Sequence, residues 1–206
     1  GGIITNDESI YQKCDQYHDH GHDHIGNDRG AEGHPIIGMN FRNTELNAAV
    51  GVAQLRKIKY ILETQKRNAT AIKNVLNKFE EVKLRRVPSE DADSATFVNS
   101  MLPNEEISRK VAKELNTNGA DGCFYWYDNN WHCFKNWHHI QNMEYPMAIP
   151  QSKLYYLPDY KNLEMPQSKE IMSRTISMQV KLSWSESDLQ KRCETIEQVL
   201  RENGVK

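Results

Sequence analysis

The sequence has no excess of positive charge and no long apolar run. Its 206 residues include 26 lysine and arginine side chains against 28 aspartate and glutamate side chains, so the formal net charge is −2 at pH 7. Proteins that bind nucleic acids carry a basic field that neutralises phosphates, and this composition therefore disfavours a nucleic-acid partner. A helix needs about 20 consecutive apolar residues to cross a bilayer. No run of that length occurs, so we expect no membrane partner.

Cysteine is scarce, and the cysteines are scattered. The four of them, Cys14, Cys123, Cys133 and Cys193, form no Cys-x-x-Cys pair. Disulfide scaffolds and zinc sites bring cysteines together at short, regular spacings, so the pattern disfavours both. We interpret the four residues as reduced, buried side chains of a cytoplasmic protein.

The apolar residues that are present follow helix and strand spacings. They make up 38% of the chain, which is enough for one large or two small domains. The pattern predicts helices up to residue 79, then strands alternating with helices. The predicted helices cover 7–17, 44–62 and 65–79, one that begins at 103–106 and ends at Gly119, and a last one that begins with a capping box at 185–188. The predicted strands cover 82–87, 95–102 and 175–182, and residues 2–6 are predicted to be the end of a short strand.

An Asn-x-Arg pair stands directly before a predicted helix start. Asn40 and Arg42 are followed by Asn43, a good N-cap residue, and by small and apolar residues at helical spacing. An amide donor beside a guanidinium fork suits a phosphate or a carboxylate, because both offer paired oxygens. The alternative is that Arg42 pairs with a nearby acidic side chain at the surface.

The residues around this pair resemble a known family. Together they are similar to the DegT/DnrJ/StrS family of pyridoxal-phosphate-dependent sugar aminotransferases. The segments that carry the resemblance are residues 1–7, His20-Gly21, 38–42, 45–49 and 53–55, with thinner matches at 94–98 and 173–188.

The resemblance implies an α/β fold, the fold type I of pyridoxal-phosphate-dependent transferases, as in aspartate aminotransferase. Residues 1–70 would form the end of the large cofactor-binding domain and its interdomain helices, and residues 71–206 the small α+β domain. In the family, the lysine that holds the cofactor lies a few residues before the position of Gly1. We therefore expect no catalytic residue within this sequence.

The resemblance also implies a function for the Asn-x-Arg pair. The family enzymes transfer an amino group from an amino acid, here expected to be glutamate, to a keto or aldehyde sugar. Asn40 would bind the phosphate of pyridoxal 5′-phosphate in the site of the neighbouring subunit, so a homodimer with shared active sites is expected. Arg42 would hold a donor or substrate carboxylate. A sugar dehydratase of the same family, in which a histidine replaces the lysine, is the alternative.

The tract at residues 18–24 contains four histidines and two aspartates. Alternating imidazoles and carboxylates can bind zinc, nickel or copper, so a non-catalytic metal-binding module is an alternative function. Short histidine-rich tracts are compositional signals alone, and no second cluster completes a closed site. We therefore predict no metal site.

Aromatic residues are concentrated between residues 124 and 139. Flat rings with amide and imidazole groups are typical of sugar pockets, but such rings equally form cores and dimer interfaces. The family places substrate contacts in this region, and the resemblance selects Trp131 and His132 as substrate-binding residues. The Trp-rich stretch resembles the branch that makes 8-amino-3,8-dideoxy-manno-octulosonate, a sugar of lipopolysaccharide. It departs from the commoner family pattern of His and Tyr, which disfavours the usual nucleotide-sugar substrate.

Overall fold

The computed structural model of the protein describes nearly the whole chain, namely residues 2–129, 131, 133–145 and 147–206. For Arg29 and Gln151 it describes the backbone alone. The chain divides into two compact units, Gly1–Ile58 and Lys59–Lys206, which we call the N-terminal and C-terminal units. None of the helices in the described ranges is long and apolar enough to cross a membrane.

The N-terminal unit contains two helices and a long connection between them. Helix α1, Glu8–His18, begins where the Asp7 side chain accepts a hydrogen bond from the amide of Ile10. Helix α2, Glu45–Leu55, follows a single 3-10 turn at Arg29–Ala31. The helix predicted at 7–17 is confirmed. The strand predicted at 2–6 is wrong, because no described segment pairs with these residues and a strand needs a partner.

Helix α3, Ile58–Leu76, is one continuous helix. The predicted break near residue 63 is wrong, since the helix is interrupted at Arg56 and Lys57 instead. Side chains from Thr64 onward line the buried face of α3, and their packing favours an unbroken helix across the predicted boundary. The predicted domain division between residues 70 and 71 lies inside α3. The assignment of the two parts to a cofactor domain and a small domain stays a prediction.

The C-terminal unit is built on an antiparallel sheet of four strands in the order β1-β2-β4-β3. The strands are β1 Lys83–Leu84, β2 Phe97–Met101, β3 Cys123–Phe124 and β4 Thr175–Gln179. In the register of β2 and β4, Val98 lies opposite Met178 and Ser100 opposite Ile176. These four side chains are buried, because successive residues of a strand point to opposite faces and this face meets the helices.

Five helices follow α3 in the described part of the C-terminal unit. They are α4 Glu105–Thr117, α5 His138–Gln141, α6 Gln151–Leu154, α7 Pro166–Arg174 and α8 Glu186–Glu202, with 3-10 turns at Trp126–Asp128 and Phe134–Asn136. Helix α4 packs against α7, α8 and β4. The fully buried side chains of the core include Ile72, Leu76, Val111, Leu115, Ile176, Ile196 and Leu200.

The predicted elements of this unit are confirmed, apart from their lengths. The strands expected at 95–102 and 175–182 are β2 and β4, and the capping box at Ser185 begins α8. Strand β3 was not predicted, because its two residues form a strand only by pairing with β4, more than 50 residues away in the sequence. The four cysteines are free thiols in the structure. The prediction that all four are buried is wrong for Cys14 and Cys193, which are partly exposed, whereas Cys123 and Cys133 are buried.

Candidate functional site

The Asn-x-Arg turn lies beside the end of α1 in the N-terminal unit. The amide of Met39 donates to the carbonyl of Tyr17 at 2.8 Å, and the amide of Phe41 donates to that of His18 at 2.8 Å. Asp19 and Asn40 form an antiparallel bridge. The backbone of the turn is therefore held from both sides of Asn40.

Two glycines permit this close approach. Gly21 has a φ of +87°, and a Cβ atom there would overlap the carbonyl oxygen of Ile36. A Cβ atom at Gly38 would overlap the backbone of Gly21 in turn. Only glycine fits at either position, because the close backbone contact excludes a side chain at both, and Gly21 is also in the left-handed conformation.

Asn40 uses its side-chain oxygen within the turn. Its Oδ1 accepts a hydrogen bond from the amide of Arg42 at 3.3 Å and another from Nε of Arg42 at 3.2 Å. Both contacts use the oxygen, so they leave the two N–H donors of Nδ2 for another partner. Asn40 is exposed. Its geometry fits a phosphate oxygen, which accepts hydrogen bonds and donates none when ionised.

Arg42 pairs with Asp19, as the surface ion-pair interpretation expects. Nε of Arg42 lies 3.3 Å from Oδ1 of Asp19, whose side chain is only 7% exposed. The contacts to Asp19 and Asn40 both use Nε, and neither engages the edge formed by the two Nη groups. The guanidinium is thus oriented by a buried carboxylate while its bidentate edge keeps the geometry that suits a second carboxylate.

The histidine tract forms ion pairs around the same aspartate. His24 contacts Asp15 through Nδ1 at 2.7 Å and Asp19 through Nε2 at 3.3 Å, and these two carboxylates raise the pKa of His24. His22 contacts Glu32 at 3.0 Å. Across the described ranges, no group of three or more His, Cys, Asp or Glu side chains is arranged to hold a metal ion. The tract therefore helps to position Asp19, and we propose no metal function for it.

Helix α2 begins directly after the turn. Its N-cap is Thr44, whose Oγ1 accepts a hydrogen bond from the amide of Asn47 at 3.2 Å. The prediction that Asn43 caps the helix is wrong by one residue, because the Asn43 oxygen instead accepts from the amide of Thr44. The predicted apolar stripe of α2 is exposed, with Leu46 at 81% and Val50 at 62%.

The aromatic segment of the C-terminal unit forms a ladder of rings at the edge of the sheet. The ring of Phe124 stacks on Trp126 with centroids 4.7 Å apart and an interplanar angle of 9°. Phe97 lies 6.2 Å from Phe124 on one side, and Trp131 lies 6.1 Å from Trp126 on the other. The neighbouring Tyr127 is buried, as expected of a core residue.

Trp131 is the exposed end of this ladder. Its side chain is 66% exposed, and its amide donates to Oδ1 of Asn129 at 2.7 Å, which fixes the loop that presents the ring. A flat ring held in this way can stack on the C–H face of a sugar. His132, the other predicted substrate-binding residue, lies outside the described residues.

Comparison with known proteins identifies the family. The model of the DegT/DnrJ/EryC1/StrS aminotransferase family matches residues 1–148, which include the Asn-x-Arg turn and the whole aromatic segment. The chain belongs to this family. Enzymes of the DegT/DnrJ/EryC1/StrS family bind pyridoxal phosphate, and one solved structure that matches the chain is known in forms with pyridoxal phosphate and with its amino form.

Solved structures agree on the fold. An aminotransferase from Psychrobacter cryohalolentis matches 98% of this chain and 51% of its own, with 17% identity and a TM-score of 0.69. Helicobacter pylori PseC, an aminotransferase of pseudoaminic acid biosynthesis, matches 97% of this chain and 48% of its own, with 14% identity and a TM-score of 0.65. A DegT DnrJ EryC1 StrS aminotransferase from Brucella abortus matches 95% of this chain and 44% of its own, with 20% identity and a TM-score of 0.63.

These matches confirm the predicted fold class. The chain has the fold of part of a fold type I transferase, and it spans about half the length of the solved structures that it matches. The sequence did not identify Asp19 as the partner that orients Arg42. The histidine tract gave Asp19 a role only under the metal-binding alternative, and the bridge to Asn40 is what brings it to the turn.

Proposed function

We propose that the chain is the C-terminal part of a pyridoxal-phosphate-dependent aminotransferase that transfers an amino group from glutamate to a keto or aldehyde sugar. The observation that carries this proposal is the turn that presents Asn40 and Arg42 at the start of α2, in a chain that belongs to the family. The chain spans about half the length of its solved relatives, so the turn supplies one part of a larger site.

Asn40 is proposed to bind the cofactor phosphate. When bound, pyridoxal phosphate supplies the carbonyl chemistry that carries an amino group between two substrates. The turn fits the phosphate because the exposed Nδ2 group of Asn40 offers two donors while its oxygen is held by Arg42. The lysine that holds the cofactor is expected before Gly1, and no residue of this chain is assigned that role.

Arg42 is proposed to hold the carboxylate of the amino donor. A guanidinium binds a carboxylate best through two parallel hydrogen bonds, and Asp19 fixes the plane of this guanidinium through Nε. Asp19 therefore acts as a positioning residue. The carboxylate of the donor would bind at the edge formed by the Nη groups.

The homodimer with shared active sites is also a proposal. The N-terminal unit exposes large apolar side chains, among them Ile4 at 100%, Ile37 at 93% and Leu46 at 81%. Leu46 and Val50 are four residues apart on α2 and so share one exposed face, and a contiguous exposed apolar face is typical of sites that another polypeptide covers. If a second subunit covers α2, its active site lies next to the turn that carries Asn40. Asn40 can then bind the cofactor phosphate in the site of that second subunit.

The acceptor is proposed to be a sugar that stacks on Trp131. The exposed ring at the end of the aromatic ladder supports this role, and His132 is proposed to bond a hydroxyl of the same sugar. An eight-carbon octulosonic acid derivative is the acceptor that the Trp-rich stretch favours. The expected compartment of the reaction is the cytoplasm.

The test uses the whole polypeptide that the gene encodes. Mixed with glutamate and no acceptor, it should release 2-oxoglutarate in an amount that matches its active sites. Arg42→Ala should raise the half-saturating glutamate concentration by about 10- to 100-fold, because a hydrogen bond to a charged group contributes ~1.5–3 kcal/mol. The cofactor should stay bound in this variant. Asn40→Ala should instead weaken cofactor binding, measured by absorbance after dialysis.

Asn43→Ala is the matched control. Asn43 lies in the same turn, but the hydrogen bond of its oxygen is local, to the amide of Thr44 at 3.0 Å. This variant should keep both the cofactor and the glutamate response. Absence of 2-oxoglutarate would refute the aminotransferase, and loss of water from a sugar substrate without glutamate would identify the dehydratase alternative. An unchanged glutamate response in Arg42→Ala would refute the role of Arg42 alone.

A further inference from the structure

A second potential binding site lies in the C-terminal unit, separate from the aromatic ladder. It is a cavity of about 570 Å³ between the segment that follows β3 and the N-terminal half of α7, and we call it the Trp137 cavity. Small-molecule pockets typically enclose roughly 300–1,000 Å³, so its size suits such a ligand. Its apolar lining consists mainly of Tyr127, Phe134, Trp137, Leu163, Met165 and Met172.

The wall that carries the rings is fixed by side-chain amides. Nδ2 of Asn136 donates to the carbonyls of Tyr127 at 3.2 Å and Asn129 at 3.0 Å. Nε2 of Gln141 donates to the carbonyls of Phe134 and Lys135, both at 3.2 Å. These bonds link the two ends of the segment, so the aromatic wall is held in place before a ligand binds. Such preorganisation lowers the entropy cost of binding.

Lys135 places a positive charge at the cavity. Its Nζ lies 3.1 Å from the centroid of the Tyr127 ring and 3.6 Å from Oδ1 of Asp128. Partial burial lowers the pKa of Lys135 below its ordinary value. Asp128 also pairs with Arg109, so the carboxylate is shared between two cations. The ammonium group has three donors, and the ring and the carboxylate do not exhaust them.

The remaining polar groups set the class of ligand. Glu164, Ser168 and Lys169 lie at the exposed rim. The cavity therefore offers donors and acceptors of both signs around rings that are flat and apolar. A wholly apolar ligand would leave these polar groups without hydrogen bonds. A highly charged ligand would lie close to a side chain of its own sign, because the rim carries charges of both signs. A ring with a C–H face and several hydroxyl groups satisfies both parts of the lining.

We propose that the Trp137 cavity is a second sugar site that binds a monosaccharide, with Trp137 against the C–H face of the sugar and Lys135 donating to one of its oxygens. This inference rests on the proposed function, because that function selects a sugar among hydroxylated ligands. The site is additional to the acceptor position proposed at Trp131 and His132, because neither Trp131 nor Trp126 lines the cavity.

The experiment follows the indole N–H signals of the full chain by ¹H–¹⁵N NMR. The chain has four tryptophans, so four indole signals are expected, and Trp→Phe variants assign them. Methyl α-D-mannopyranoside, methyl α-D-glucopyranoside, N-acetylglucosamine and glucuronate are titrated separately, with benzoate as an aromatic ligand that has no hydroxyl groups. At least one of the sugars should shift the Trp137 signal saturably and leave that of Trp184 unchanged.

Two lysine variants test the contact. Lys135→Met removes the ammonium but keeps the apolar stem, and it should weaken the Kd of that sugar by about tenfold, the effect of one charge-assisted hydrogen bond. Lys153→Met, on α6 and exposed, is the control and should leave the Kd unchanged. Unshifted signals of the other tryptophans would show that both variants keep the fold.

Several results would overturn the inference. These are no shift of Trp137 with any sugar, a shift confined to Trp131, saturable binding of benzoate without binding of any sugar, or an equal Kd in Lys135→Met and the control. Release of 2-oxoglutarate from glutamate needs no acceptor. That assay therefore reports on the proposed function even if the cavity binds no sugar, and the two failures can be told apart.

Discussion

Among single residues of the C-terminal unit, Asp121 is a carboxylate that pairs with two cations. Its Oδ1 lies 3.2 Å from Nη1 of Arg192, whose side chain is 3% exposed, and its Oδ2 pairs with Nζ of Lys181. The guanidinium of Arg192 also lies over the ring of Trp184, 4.5 Å from its centroid. Asp121 thus balances a buried cation that holds α8 to the segment before β3.

Asp121→Asn should destabilise the C-terminal unit at neutral pH and do so less at acid pH. The hydrogen bond from Lys181, followed by the charges of Lys181 and Arg192, lowers the pKa of Asp121 below its ordinary 3.8. A carboxylate with a lowered pKa stabilises the fold above the unfolded-state pKa, and the contribution is lost as the pH falls through the folded-state pKa. Asp121 is largely exposed, so we expect Asp121→Asn to lower the free energy of unfolding by only ~1 kcal/mol at about pH 7.

Urea unfolding of the wild type and Asp121→Asn between about pH 7 and pH 3 measures this difference. Glu106→Gln, which removes an exposed carboxylate from α4, is the control and should change stability little at either pH. A difference between wild type and Asp121→Asn that stays constant as the pH falls would contradict the role assigned to the charge.

Single residues also show what the sequence could predict about the site. Asn40 and Arg42 were selected from a contiguous motif, and the structure places both on one turn. Asp19 could not be selected, because its contact with Arg42 depends on the bridge between two segments about 20 residues apart. Sequence patterns identify residues that act through neighbours along the chain, whereas contacts made by tertiary folding need the structure.

At the scale of elements, α8 is the best-predicted helix because its signals are local. Oγ of Ser185 accepts from the amide of Asp188 at 3.1 Å, and Oδ2 of Asp188 accepts from the amide of Ser185 at 2.9 Å. Its buried stripe has helical spacing. The boundary between α2 and α3 was predicted wrongly because it depends on which residues of α3 are buried. Strand β3 was missed because its partner strand, β4, is distant in the sequence.

Ser185→Ala should remove one half of this capping box. The loss of an N-cap hydroxyl costs ~0.5–2 kcal/mol of stability, since an amide of the first turn loses its partner. The free energy of unfolding of the full chain in urea measures it. Ser187→Ala changes an exposed serine two residues further along α8 and is the matched control. Equal stability of the two variants would show that the box does not stabilise α8 measurably.

At the scale of the whole molecule, the order of short motifs along the chain predicted the fold class, and the family match confirms it. The same motifs did not predict where the chain divides. The chain divides between residues 58 and 59, within the first turn of α3, and no change in composition marks that point. The division follows from packing: among the described residues, buried apolar side chains begin only at Ala69.

This distribution predicts that the two units differ in their ability to fold alone. A fragment of residues 59–206 contains every apolar side chain of the described core, from Ala69 to Val205, together with all four strands. It should unfold cooperatively in urea, at the same midpoint as the full chain, because the N-terminal unit adds no buried apolar side chain among the described residues.

A fragment of residues 1–58 should show no cooperative transition. Its helices α1 and α2 have 11 residues each and no buried side chain, and isolated helices of that length are marginal in water. Circular dichroism of both fragments through a urea titration checks the prediction. A sigmoidal transition in the 1–58 fragment, or its absence in the 59–206 fragment, would contradict it. The expected result means that the Asn40 and Arg42 turn lies in a unit whose order depends on the polypeptide that covers its apolar surface, as the proposed shared active site requires.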